Sequence, residues 1–215
     1  MTRLAVRVLS CLIVLLGAAG GALSAQTSAR SVLDKTARTL KSGGGLEARF
    51  SASQQNGRSA ASQTSGTLYV SGNRFKISSS QAEIWFDGKT MWSMYAGSGE
   101  VNVSTPTKAE LQSINPYAFL DLYRKGYNLS VSNVTEGGQK AYKVRLKAQQ
   151  NGAAIPEMEV TVNRQTNLPM KVRLKQRGGW TSITVSSLKT QRKYAADFFR
   201  FDKSKHKGVE VIDLR

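Results

Sequence analysis

Alternating apolar residues between positions 66 and 103 constrain the fold of this chain more than any other feature. In this stretch, GTLYVSGNRFKISSSQAEIWFDGKTMWSMYAGSGEVNV, apolar residues recur two positions apart. Because strand side chains point to opposite faces with period two, each such pair lies on one face of a sheet. Turn signals at 71–73, 87–88 and 97–99 separate the runs. The stretch therefore predicts an antiparallel meander with one apolar face.

The alternation also assigns side chains to the two faces of this meander. On the apolar face we expect Leu68, Val70, Phe75, Ile77, Ile84, Phe86, Trp92, Met94 and Val101. On the opposite face we expect Tyr69, Ser71, Arg74, Lys76, Ser78, Trp85, Ser93 and Tyr95. Since the second set is mostly polar, the sheet buries one side only, and function depends on what covers that side.

Helical and strand patterns alternate through the rest of the chain. Residues 29–41 carry an apolar stripe at helical spacing, and alternation over 46–52 predicts a first strand. Between 104 and 126 large apolar side chains recur at helical spacing, which predicts a helical insertion. Strand alternation resumes from 127 to 185. Its apolar positions include Met158, Val160, Val162, Met170, Val172 and Ile183.

About ten strands with one N-terminal helix and one helical insertion predict a mainly β (α+β) domain. A sheet this long curls, and we expect an unclosed antiparallel half-barrel whose concave face is apolar. The helices are the only segments that can cover this face, which makes them a lid. The lid residues are Leu33, Leu40, Leu111, Ile114, Phe119, Leu120 and Tyr123. For any single residue an ordinary core explains the pattern, but the pattern as a whole favours a hydrophobic binding cavity lined by the apolar sheet positions.

The first 25 residues have the composition of a cleaved secretory signal. Arg3 and Arg7 precede an apolar run at 12–16, and small residues at 22–25 offer a cleavage site. The run is short for a membrane span, although an uncleaved anchor is the alternative. We therefore expect residues 26–215 to form one exported domain. Cys11, the single cysteine, lies before the apolar run, too early for an acylation site, so the mature domain has no thiol chemistry.

The chain is strongly basic, with a formal net charge of +17, and loss of the two signal arginines lowers it to +15. This charge attracts an anionic partner such as nucleic acid or a membrane surface. The basic residues alternate along predicted strands, as expected for a solvated outer sheet face, and an exported protein rarely meets nucleic acid. Nucleic-acid binding is therefore disfavoured. The basic positions are Lys143, Arg145, Lys147, Lys171, Arg173 and Lys175.

No residue pattern points to catalysis, a cofactor or a metal. The single histidine, His206, lies in a basic tail, and Asp87 precedes Gly88 in a turn where Asp bonds its own backbone. Glu157 and Glu159 alternate outward and are expected to be solvated. Nucleophile-elbow, phosphate-loop, dinucleotide and zinc motifs are absent from the sequence. The sequence therefore favours a binding protein over an enzyme.

Four segments together identify a family. Residues 66–75 contain GTLYV followed by Arg-Phe, residues 84–92 read IWFDGKTMW, and residues 33–50 join a helix to an A-x-F strand. Residues 199–213 combine F-x-F with a closing GVEVID. In order and spacing these segments resemble the motifs of the LolA-type lipoprotein carriers, over nearly the whole chain after the predicted signal.

The resemblance implies a capped half-barrel that carries acylated lipoproteins across the bacterial periplasm as a monomer. Implied partners are an inner-membrane LolCDE-type transporter and an outer-membrane acceptor such as LolB, or the membrane surface. The family's carriers have an arginine after the strand matching 68–70 that helps hold the lid closed. Ser71 and Gly72 stand there in this chain, and Arg74 is the nearest candidate latch. The basic tail segment 203–207 also replaces prolines of the family pattern.

Two other functions are compatible with the same features. The cavity could carry a different amphiphile, such as a glycolipid or a pigment lipid. The domain could instead be a sensor that binds a lipid, a peptide or a partner protein without transporting it.

Overall fold

The computed structural model describes residues 27–42, 44–55, 62–107, 110–111, 122–176 and 179–215, so the predicted signal segment 1–25 lies outside the described residues. Within the described residues the chain forms one α-helix, twelve strands and two short 3-10 helices. The helix α1 spans Ala29–Lys41, and the 3-10 helices span Ala196–Phe199 and Lys203–Lys205. The strands are β1 Gly45–Gln55, β2 Ser62–Ser71, β3 Arg74–Ser79, β4 Ala82–Phe86, β5 Met91–Tyr95, β6 Glu100–Ser104, β7 Tyr127–Glu136, β8 Gln139–Ala148, β9 Glu157–Asn163, β10 Pro169–Gln176, β11 Gly179–Arg192 and β12 Glu210–Asp213.

All twelve strands belong to one unclosed sheet. Their order is β12-β6-β5-β4-β3-β2-β1-β11-β10-β9-β8-β7, so β12 and β7 form the two edges. This arrangement confirms the predicted mainly β half-barrel. The sheet is mixed rather than purely antiparallel, because the C-terminal strand β12 runs parallel to β6. The alternation of 46–52 and of the meander correctly predicted strands β1 to β6.

Helix α1 forms where its apolar stripe predicts a helix. Ser28 caps its first turn by accepting a hydrogen bond from the backbone N–H of Ser31 at 3.1 Å. The buried residues of α1 pack against β7 and β8. We call the sheet face that contacts α1 the inner face and the opposite side the outer face. The buried α1 residues are Ala29, Val32, Leu33, Thr36, Ala37 and Leu40.

The pairing of β4 with β5 corrects part of the predicted inner face. Trp85 pairs with Trp92, and Ile84 pairs with Ser93. Since directly paired residues share a face, Trp92 and Met94 lie on the outer face with Trp85. Val101 pairs with Met94 and lies there too. The placement of Trp92, Met94 and Val101 in the cavity is therefore wrong.

The turn between β4 and β5 causes this reversal. Four residues, 87–90, separate the strands, so that Phe86 pairs with Met91 rather than with Trp92. A shift of one residue moves a whole strand to the other face. Met91 and Ser93 consequently occupy the inner face, and the prediction that Ser93 faces outward was also wrong. Asp87 fixes the turn, because its Oδ1 accepts hydrogen bonds from the backbone N–H groups of Lys89 and Thr90.

The C-terminal tail covers the outer face of β2 to β4 with aromatic rings. The ring of Phe198 lies 5.2 Å from that of Tyr69, and Phe201 lies 5.5 Å from Trp85. Phe199 and Trp85 are almost completely buried. These contacts surround the outward-facing Trp85 with a second, aromatic core, which explains why the outer face is less polar than the sequence predicts.

Strand β9 is buried on both faces, which corrects the expected exposure of its acids. Only 5% of the Glu159 side chain is exposed, and its oxygens accept hydrogen bonds from Arg145 and Arg173, each at 2.9 Å. Burial alone would raise the pKa of Glu159, but these two hydrogen bonds hold it below the usual range. Neighbouring arginines, rather than solvent, therefore stabilise this carboxylate.

Replacing Phe199 by alanine should test whether the tail is part of the folded core. Because Phe199 is fully buried, Phe199→Ala is expected to lower the free energy of unfolding by about 3–5 kcal/mol. Urea unfolding followed by tryptophan fluorescence would measure this change. Leu214→Ala, at a side chain that is 63% exposed, is the control and should change stability by less than about 0.5 kcal/mol. Equal stability of the two variants would show that the tail does not stabilise the sheet.

Candidate functional site

The inner face of the sheet is a continuous apolar surface made of two clusters. The first cluster lies under α1 and uses residues of β1 and of β7 to β10. The second lies on β2 to β4 around Leu68, Phe75 and Phe86. Val70 contacts both clusters and joins them. The inner face can therefore present one apolar surface that extends across much of the sheet.

Helix α1 fills the space above the first cluster. Met158, Val160, Val162 and Val172, all predicted cavity residues, are at most 6% exposed and pack with α1. Leu33 and Leu40, predicted lid residues, are buried on the facing side of α1. The structure thus brings these sheet and helix residues into direct contact. In this arrangement α1 occupies the volume that an apolar ligand would need.

Two other predicted cavity residues lie at the border of this cluster. Ile183 pairs with Val172 and so lies on the inner face, where it is half-buried. Met170 lies at a bulge between Pro169 and Lys171, and it is also half-buried. The core cluster includes neither residue. Their role in ligand binding stays a prediction.

The second cluster is less completely covered than the first. The Phe75 and Phe86 rings pack with centroids 5.2 Å apart. Ile77 and Ile84 beside them are only partly buried, and no α1 residue belongs to this cluster. Beside Met91, a pocket of about 460 Å³ opens between residues 104–107 and the C-terminal Leu214. This half of the inner face is therefore the more accessible half.

The two described ends of the predicted helical insertion lie over different clusters. At the first end, Glu110 accepts hydrogen bonds from the backbone N–H and hydroxyl of Thr107, which form a capping box at a helix start. Leu111 follows and packs on the second cluster. Leu122 and Tyr123, at the other end, pack with the first cluster. The predicted lid residues Ile114, Phe119 and Leu120 lie outside the described residues.

A hydrogen bond joins the insertion to α1, and the sequence analysis did not identify it. The buried Tyr123 hydroxyl donates to Asp34 Oδ1 at 2.5 Å. Burial, the hydrogen bond to Asp34 and the negative charge of Asp34 together raise the pKa of Tyr123 to about 12. The acid at position 34, on the polar edge of the α1 stripe, was the available signal. This bond fastens the two covering segments to each other.

Arg74, the candidate latch, lies on the other side of the sheet. Its neighbour in β3, Phe75, is on the inner face, so Arg74 projects from the outer face. Its guanidinium lies 5.0 Å from the Phe199 ring centroid and donates to the Ser71 hydroxyl at 3.4 Å. These contacts are with β2 and the C-terminal tail. Neither contact tests whether Arg74 holds the lid closed, so its latch role stays a prediction.

We searched the part of the chain that the structure describes for a metal site, a membrane-spanning helix and the surroundings of the histidine. It contains no group of three or more His, Cys, Asp or Glu side chains placed to hold a metal ion. None of its helices has the length and hydropathy of a membrane span. His206, the only histidine, is wedged against the rings of Trp85 and Phe201 in the tail cluster, with Nδ1 2.9 Å from the Asp202 carbonyl oxygen.

Comparisons with known proteins give distant structural matches and one family match. A comparison with curated protein sequences gives no match. An uncharacterised conserved protein from Thermus thermophilus superimposes with a TM-score of 0.58 at 12% identity, covering 86% of this chain and 98% of that one. A LolA superfamily protein from Nitrosomonas europaea gives a TM-score of 0.44 at 11% identity, over 81% and 98% of the two chains. The lipoprotein LppX from Mycobacterium tuberculosis gives 0.47 at 12% identity, over 78% and 99%.

A family model provides the assignment. The model described as outer membrane lipoprotein carrier protein LolA matches residues 21–179, which is well over half of the chain. The matched range contains α1 and strands β1 to β10, and so both apolar clusters of the inner face. The chain therefore belongs to the LolA family of outer membrane lipoprotein carrier proteins.

Proposed function

We propose that this protein is a periplasmic carrier that binds the acyl chains of lipoproteins on its inner face and moves them from the inner to the outer membrane. The observation that supports this proposal is an apolar sheet face whose cover is a separate helix. The family match and the predicted secretory signal support it as well. The partners would be acylated lipoproteins, a LolCDE-type transporter that supplies them, and an acceptor at the outer membrane.

The contact of α1 with the sheet offers a physical basis for release. Burying one methylene group contributes about 0.8 kcal/mol, so full burial of a 16-carbon chain would contribute roughly 13 kcal/mol. A carrier that bound so tightly would not release its cargo. Here an acyl chain would have to displace α1 and lose the contacts of Leu33 and Leu40 with the sheet. The net affinity is then a difference between two apolar contacts, which a deeper acceptor can exceed.

The two clusters suggest an order of events. The second cluster is partly exposed and not covered by α1, so an acyl chain would first contact Ile77 and Ile84. Growth of that contact past Val70 would reach the edge of α1 and displace it. Among the described residues the proposed binding groups are apolar side chains, which supports a binding protein rather than an enzyme. A glycolipid or pigment lipid would use the same surface. The molecule that the protein retains when purified would identify the cargo.

A charge placed on the second cluster should abolish cargo binding. Ile77→Glu puts a carboxylate among Leu68, Phe75 and Ile84, where burial without a partner is unfavourable. We expect the exported wild-type protein, purified without detergent, to retain acylated lipoprotein detectable by mass spectrometry of a solvent extract. The variant should retain less than about a tenth as much.

The matched control places the same charge on the other face of the neighbouring strand. Thr67 pairs with Ser78 on the outer face, so Thr67→Glu should retain cargo like the wild type. Circular dichroism would establish that both variants fold. Retention of lipoprotein by folded Ile77→Glu would contradict the proposal, and a free glycolipid or pigment in the wild-type extract would favour the alternative carrier.

Removing the Tyr123 hydroxyl should make the cavity easier to open. Tyr123→Phe eliminates the hydrogen bond to Asp34, and such bonds to charged groups contribute about 1.5–3 kcal/mol. If α1 must move for binding, the apparent affinity for a fluorescent fatty acid should rise roughly 10- to 100-fold. Tyr127→Phe is the control, because its hydroxyl donates to the Ile155 carbonyl oxygen rather than to α1. Equal affinities of the two variants would exclude Tyr123 as a closing contact.

The same tyrosine predicts a dependence on alkaline pH. Tyr123 has a pKa raised from 10.0 to about 12 in the folded protein. The stability it provides is therefore complete below pH 10 and is lost as the pH rises to about 12. The difference in unfolding free energy between wild type and Tyr123→Phe should shrink across this interval. A difference that stays constant in urea titrations up to pH 12 would show that Tyr123 has the same pKa in the folded and unfolded states.

A further inference from the structure

The outer face of β8, β9 and β10 carries a regular grid of charged side chains. Paired residues on these strands form three rows across the sheet. The rows are Lys147–Glu157–Lys175, Arg145–Glu159–Arg173 and Lys143–Thr161–Lys171. We call these nine residues the basic patch. With six cations and two carboxylates, the basic patch has a net charge of +4.

The two carboxylates neutralise the centre of the basic patch and leave its sides positive. Glu159 is bound by Arg145 and Arg173, and Glu157 lies 3.3 Å from Arg145. In the third row a threonine, Thr161, takes the central position of the acids, and the nearby Lys171 ammonium lies 3.3 Å from Glu136 instead. Lys143, Lys147 and Lys175 have no ion pair with any residue that the structure describes. The Lys175 ammonium lies 6.0 Å from the Trp180 ring centroid, and since no described carboxylate pairs with the three lysines, an external anion can do so.

The neighbouring strands frame the basic patch with neutral side chains, five of which are short. The residues that continue the rows are Asn128, Ser130 and Ser132 on β7, and Trp180, Ser182 and Thr184 on β11. Trp180 is the only large apolar side chain among these six, and Arg173 lies 4.5 Å from its ring centroid. Stable protein interfaces need a central group of buried apolar anchors. The basic patch lacks such a group, which favours a diffuse anionic surface over a specific protein partner.

We propose that the basic patch docks this protein onto the anionic phospholipid headgroups of a membrane. Lysines near an anionic surface each add about 1 kcal/mol of attraction, and tryptophan is enriched at the headgroup level of membranes. The basic patch lies on the side of the sheet opposite α1, so docking through it leaves α1 free to move while the carrier stays at the membrane. This inference rests on the carrier function proposed above.

Binding to lipid vesicles tests this inference without any lipoprotein cargo. The test variant combines Lys143→Gln, Lys147→Gln and Lys175→Gln. The control combines Lys89→Gln, Lys203→Gln and Lys207→Gln, which removes the same charge from exposed sites away from the basic patch. Sedimentation with phosphatidylglycerol–phosphatidylcholine vesicles would measure binding. At about five-fold per lysine, the test variant should bind roughly 100-fold more weakly than the wild type, and added NaCl should weaken wild-type binding.

The outcomes separate local docking from general charge. Loss of binding by the test variant, with the control close to wild type, supports the inference. Equal loss in both variants would assign binding to net charge and overturn it, as would wild-type protein that ignores anionic vesicles. Loss of binding to a purified transporter or acceptor, with vesicle binding intact, would assign the basic patch to an acidic protein partner. Ile77→Glu should bind vesicles like the wild type. A failure of the carrier proposal and a failure of the docking inference would therefore give different results.

Discussion

The packing of α1 on the inner face is the contact on which the rest of this structure depends. A single twelve-stranded sheet with an apolar face is not stable in water unless something covers that face. Here α1 provides the cover for β7 to β10 through six buried residues on one stripe. The cover belongs to a different segment from the sheet and is joined to it by the short link 42–44. The proposed carrier function requires this helix to be exchanged for an acyl chain.

The other half of the sheet is stabilised from the opposite side. The C-terminal tail places Phe198, Phe199 and Phe201 on the outer face of β2 to β4, and β12 pairs with β6 at the edge of the sheet. This arrangement holds the strands of the second cluster in place without using their inner face. Ile77 and Ile84 can then remain partly exposed. The fold thus separates the surfaces that stabilise the meander from the surface available to a ligand.

The sequence correctly predicted elements that depend on local patterns. It did not predict which face of the sheet a strand presents where a turn determines this. The α1 stripe and the alternation within each strand correctly gave the helix, the meander and the inner-face residues Leu68, Phe75 and Phe86. Alternation does not determine which face the next strand presents, because the turn length decides this. The four-residue turn at 87–90 therefore reversed Trp92 and Met94. Bonds between distant segments, such as Tyr123–Asp34, leave almost no local signal.

The charged residues were also predicted correctly where the pattern is local and incorrectly where their positions depend on strand pairing. The alternating lysines and arginines of β8 and β10 predicted an outer basic face. Only the sheet register places Glu159 between two arginines and makes it a buried residue. The register also aligns the rows of the basic patch across three strands. Both apolar and charged surfaces thus depend on strand pairing that periodicity alone does not specify.

The proposed function requires an acyl chain to displace α1, and the distance between α1 and the sheet would report this displacement. The only cysteine is Cys11, so spin labels can be attached to cysteines introduced at exposed Lys35 on α1 and Ser132 on β7 of the mature chain. Double electron–electron resonance would compare the distance between the two labels in the empty protein and in the protein bound to a synthetic acylated lipopeptide. We expect a longer or broader distance distribution when the lipopeptide binds. An unchanged distribution with the lipopeptide bound would contradict the proposed displacement.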